Sequence, residues 1–79
     1  MRVEEIELPG PAPGTRQSLR IVGFGTPGAR PKAYLQAGLH GGELPGMLAL
    51  ERLEVLLEQA EREGAVRGEI VLVHMANPI

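Results

Sequence analysis

The chain has 79 residues, 8 basic against 10 acidic side chains for a formal charge of −2, 43% hydrophobic residues and no cysteine. A length like this allows one small domain at most, and such a chain buries only about 60% of the surface its unfolded form exposes. The lack of thiols excludes a disulfide framework, a thiolate zinc finger, an iron–sulfur site and a cysteine nucleophile, while 3% aromatic residues and no basic run exclude nucleic acid as an expected partner.

No apolar stretch approaches the roughly 20 residues of a membrane span, so no membrane partner is expected. Glu4, Glu5 and Glu7 stand where a secretory signal would carry basic and then apolar residues, which makes the cytoplasm the expected compartment.

Val3 to Leu8 reads as a short strand marked by charge, suited to a sheet edge. Pro9, Gly10, Pro11, Pro13 and Gly14 form a stiff connection, since proline fixes φ and withholds its donor. Gln17 to Phe24 alternates as a second strand, Gly25 to Pro31 is turn chemistry, and Lys32 to Leu39 reads as a third strand. A helix is expected from near Pro45, with Met47, Leu50, Leu53, Leu57 and Ala60 on one apolar face flanked by Ala49 and Leu56. Glu51, Glu54, Glu58 and Glu61 are placed together on its solvated face, Glu58 pairs with Arg62, and Gly64 stops it. Ile70 to Val73 is apolar on both sides of a strand, the pattern of a central, doubly covered position. The order is β-β-β-α-β, ending in a βαβ unit of an α/β fold with a mixed sheet. One helix covers one side of such a sheet, and Leu48 and Val55 lie near Arg52 away from its main apolar face, so more protein, in cis or as a homo-oligomer, is expected to meet this chain.

Chemistry concentrates in Gly38-Leu39-His40-Gly41-Gly42-Glu43, between the third strand and the helix. Imidazole and carboxylate are both good Zn²⁺ ligands, and open α/β sheets place their sites where strands end and helices begin. Gly38, Gly41 and Gly42 clear side-chain bulk from around the pair. The competing reading makes Glu43 a carboxylate favoured by the helix dipole and His40 a turn residue. His74, the other histidine, stands near the end of the last strand, where a structural role is commoner than ligation. Gly23 to Gly28 matches G-x-G-x-x-G, but Pro27 and Pro31 lead into another strand and not a helix, so the segment is read as a tight turn. Hydroxyls are few and Asp is missing, which disfavours a serine triad.

The segment Tyr34-Leu35-Gln36-Ala37-Gly38-Leu39-His40-Gly41-Gly42-Glu43-Leu44-Pro45-Gly46, followed after the helix by Met75-Ala76-Asn77-Pro78, resembles the succinylglutamate desuccinylase/aspartoacylase family, relatives of the zinc carboxypeptidases. The likeness runs over about residues 17 to 79. It implies that residues 1–79 are a single, incomplete N-terminal part of a zinc-carboxypeptidase-like α/β/α domain. It also implies that His40 and Glu43 are two of three zinc ligands, and that Asn77 and Pro78 form a structural turn toward the substrate pocket. Gly42 departs from the Asp or Asn common in relatives, which bears on support of the metal ligands. The third ligand, the carboxylate-binding residues and the catalytic Glu of the family lie beyond the motifs present here. The function implied is zinc-assisted hydrolysis of an amide bond in an N-acyl amino acid or similar carboxylate-bearing substrate, with the 79 residues alone inactive. The alternative is a non-catalytic α/β module acting through self-association or protein binding. A further possibility is an oligomer in which a second copy supplies the missing ligand, for example His74.

Overall fold

The computed structural model describes residues 1–39 and 44–76. Strands β1 (Arg2–Pro9), β2 (Arg16–Gly25) and β3 (Lys32–Gln36) precede one helix, α1 (Leu44–Arg62), and strand β4 (Glu69–Val73) follows it. They build a four-stranded sheet of order β1-β2-β4-β3. The pairs β1–β2 and β2–β4 are antiparallel and β3–β4 is parallel, so the sheet is mixed and the expected element order holds. No helix among the described residues is long and apolar enough to cross a membrane.

The edge position of β1 follows from its side chains, because Glu4, Glu5 and Glu7 discourage another strand from adding to it. Its connection to β2 closes on itself: Gly10 N–H donates to Thr15 O at 2.8 Å, and the Thr15 hydroxyl donates to Ala12 O at 2.6 Å. The β2–β3 connection is the tight turn expected of the glycine motif, with Ala29 N–H donating to Thr26 O at 3.0 Å and Gly25 and Gly28 both at positive φ. It leads into a strand and offers no helix terminus to a phosphate.

Alternation along the strands assigns one face to α1. Val22, Phe24 and Leu72 are fully buried there, with Leu50 of the helix seated on them and Leu35, Leu53, Leu57 and Ile70 packed around. β4 occupies the central position that its apolar run requires, and Leu72 and Val73 are buried on opposite faces. The second face carries Ile6 and Tyr34 exposed.

Two expectations need correction. The third strand ends at Gln36, before Leu39, because Gly38 takes a positive φ that turns the chain away from the sheet. The glutamates of α1 do not share one solvated face. Glu58 makes the expected pair with Arg62 at 3.2 Å, but Glu54 and Glu61 turn under the helix toward β2. Polar groups on the sheet draw them there, the Arg20 guanidinium for Glu54 and the Gly25 N–H for Glu61. Conversely Leu56, placed beside the apolar face, is exposed, as are Leu48 and Val55.

Candidate functional site

Parallel pairing puts the carboxyl ends of β3 and β4 at one edge of the sheet, and hydrogen bonds continue past both strands. Ala37 N–H donates to Val73 O at 3.0 Å, and Ala76 N–H donates to Ala37 O at 2.8 Å. The chain therefore enters residues 40–43 and 77–79 from adjacent points. Gly38 makes this approach possible. A Cβ there would lie 2.9 Å from Met75 Cα and 3.1 Å from His74 O, in a backbone conformation with φ of 68° that side chains resist. Between the end of β3 and the first turn of α1 lies a cavity of about 380 Å³, lined by Gln36, Ala37, Gly38, Leu39, Pro45 and Gly46.

The proposed ligands His40 and Glu43 lie outside the described residues, as do Asn77 and Pro78. Among the described residues no group of three or more His, Cys, Asp or Glu side chains is gathered as a metal site. What the structure fixes is the frame on either side of the two motifs: two strand ends bonded to each other, a glycine at the crossing point and a helix starting at Leu44.

The sequence profile of the succinylglutamate desuccinylase/aspartoacylase catalytic domain matches residues 29–79, close to two thirds of the chain. The chain belongs to that family. No curated protein matches it. The match takes in β3, α1 and β4 with both motifs, whereas the resemblance drawn from the sequence extended back to residue 17; β1 and β2 lie outside the match. Membership of the succinylglutamate desuccinylase/aspartoacylase family makes the chain hydrolase-related.

Two charged clusters went unread in the sequence. At the carboxyl edge, Glu54 accepts from Arg20 through Nη1 at 3.0 Å and Nη2 at 3.4 Å, and its Oε1 lies 3.2 Å from His74 Nε2. The hydrogen bond from Arg20 holds the Glu54 carboxyl below its ordinary value, against the opposing effect of burial, and the same bond raises Arg20. At the opposite end of β4, buried Glu69 lies 3.5 Å from Lys32 Nζ and 3.7 Å from Arg2 Nη2, and accepts the Gly28 N–H at 3.2 Å. The available signal for the first cluster was Arg20 itself, a charge in register with Val22 and Phe24 on the face that α1 covers.

Proposed function

We propose that this chain forms part of a zinc-dependent hydrolase that cleaves the amide bond of an N-acyl amino acid or a similar carboxylate-bearing substrate. The observation that carries this reading is the family match over β3, α1 and β4, which includes both His40-Gly41-Gly42-Glu43 and Asn77-Pro78. The adjacency of the two strand ends supports it, because the chain runs on into both motifs from neighbouring points.

His40 and Glu43 are the residues that would hold the ion, and an imidazole with a carboxylate is an ordinary zinc donor set. The metal, when bound, supplies a water of lowered pKa and polarises the scissile carbonyl. Gly38 turns the chain out of β3 and keeps the β4 exit close, and Gly41 and Gly42 bring no side chain between the two donors in sequence. Two ligands fall short of the three that a catalytic site uses, so these 79 residues alone hold zinc weakly and turn over no substrate. The third ligand and the proton-transferring group come from protein outside this set. His74 is a poor candidate for that ligand, since its Nε2 faces Glu54.

Calorimetric titration of zinc into the chain tests the assignment. His40→Ala and Glu43→Gln are each expected to weaken binding tenfold or more, about 1.4 kcal/mol, with circular dichroism unchanged. Equal affinity in wild type and His40→Ala would overturn it and leave the non-catalytic module as the better reading.

A further inference from the structure

Among the described residues, five large apolar side chains are more than half exposed, and four of them stand on α1: Leu44 at 55%, Leu48 at 59%, Val55 at 60% and Leu56 at 54%. The helix seats Leu50 on the core and packs Leu53 and Leu57 around it, so its opposite side faces outward. At about 100° per residue, Leu44, Leu48 and Val55 follow one line along that outward side, at the i, i+4 and i+11 positions of a seam between two helices. Leu56 lies on one flank of the line. Apolar residues scattered singly over a surface are ordinary, whereas a run of them on one side of a helix marks a contact.

Glu51 and Arg52 stand midway along this line, about 50° to either side of it. Both are exposed, and neither makes an ion pair among the described residues, in contrast to Glu54, Glu58, Glu61 and Arg62 of the same helix. These two charges select the occupant. An apolar line flanked at nearly one height by a carboxylate and a guanidinium is complementary to itself, so a second copy of the chain supplies the matching charges. They also select its orientation. A two-fold axis across the helices makes them antiparallel and sets Glu51 against the partner's Glu51 and Arg52 against the partner's Arg52. An axis along the helices makes them parallel and brings Glu51 beside the partner's Arg52, twice over, with Leu48 and Val55 each against its own copy.

We propose that the outward side of α1 is a dimer interface, where two copies of this chain pack their helices in parallel through Leu48 and Val55 and flank the contact with two reciprocal Glu51–Arg52 pairs. One helix pair is a small contact, at or below the low end of about 1,200 Å² for specific interfaces, so the dimer dissociates on dilution. Sedimentation equilibrium over a concentration series is expected to show monomer and dimer in exchange. Leu48→Lys and Val55→Lys, both at exposed positions, should each weaken association roughly tenfold with circular dichroism unchanged. Arg52→Glu and Glu51→Arg should each weaken it alone, and the two variants should dimerise with each other when mixed. The chain has no cysteine, so an introduced thiol is unique. Under mild oxidation Leu48→Cys should crosslink to itself, as should Val55→Cys, each in preference to a mixed crosslink between the two. A chain that stays monomeric up to about 1 mM would overturn the interface. So would a dimer that persists in Leu48→Lys, which would point instead to the sheet face bearing Ile6 and Tyr34. A predominance of mixed crosslinks would overturn the parallel arrangement. No step uses zinc, so these outcomes are independent of the hydrolase reading.

Discussion

The two ends of β4 are held in different ways. At its amino end Glu69 is buried against Lys32, Arg2 and the Gly28 N–H, and Glu69 N–H donates to Pro31 O at 3.0 Å. Arg2 reaches this point by lying across Gly23, where a Cβ would come within 2.9 Å of the guanidinium. At its carboxyl end the strand is tied by two backbone hydrogen bonds through Ala37 and by one cluster that contains a histidine. One end is locked by a buried carboxylate between two cations and a turn, while the other holds through backbone hydrogen bonds and a histidine–carboxylate–guanidinium contact. The second end leads in sequence into Asn77-Pro78, so under the proposed function the contrast separates the part of the strand that anchors from the part that presents.

The largest expected effect removes the core on which both ends depend. Phe24→Ala should cost about 3–5 kcal/mol, which for a domain this size means loss of the cooperative urea transition; a transition kept within about 1 kcal/mol of wild type would show that the charged ends carry the fold. Next come the two glycines. Gly68→Ala and Gly38→Ala each place a side chain at positive φ against backbone, at a cost of about 1–3 kcal/mol or more. Only Gly38→Ala should also weaken zinc binding by the folded protein, and equal zinc affinity in the two variants would erase the distinction between anchor and presenting end.

Smaller effects separate the two carboxylates. Glu69→Gln should cost about 1–2 kcal/mol in urea unfolding, discounted because Arg2 and Lys32 are partly exposed. For Glu54 the sign follows from its lowered folded-state value. Its contribution is fully present above the ordinary carboxylate value of 4.5 and is lost as pH falls through the lower folded value. Wild type should therefore lose more stability between about pH 6 and about pH 3 than Glu54→Gln does, and parallel pH profiles would contradict this. The smallest change is expected for Arg62→Ala on the exposed Glu58 pair, under about 0.5 kcal/mol by thermal unfolding.

Much of this was legible in the residues. Charge marked β1 as an edge, and the continuous Ile70–Val73 run placed β4, with Leu72, in the centre, whereas the alternation of β2 did not single out Val22 and Phe24. Two prolines correctly marked the G-x-G-x-x-G segment as a turn into a strand and not into a helix. The glutamates of α1 were misread because helical periodicity sorts residues by angle alone, whereas Glu54 follows Arg20 and Glu61 follows the Gly25 N–H, partners supplied by a distant strand. Gly38 could not be read as the end of β3 for a similar reason: its turn is required by Met75 and His74, which arrive from β4. The candidate ligands themselves were legible only as a motif, and the frame around them came from the strand ends.

The length of β2 has an architectural result. Four of its ten residues pair with β4, Val22 to Gly25, while eight of them, Arg16 to Gly23, pair with β1. Residues 16–21 thus overshoot the end of β4 as a two-stranded ribbon roughly 20 Å long, at about 3.3 Å per residue. The molecule's 44 Å long dimension accords with such an arm. The ribbon flanks the carboxyl edge on the β2 side as a palisade. A ribbon without a third strand derives little rigidity from its ladder, which makes this palisade a yielding one.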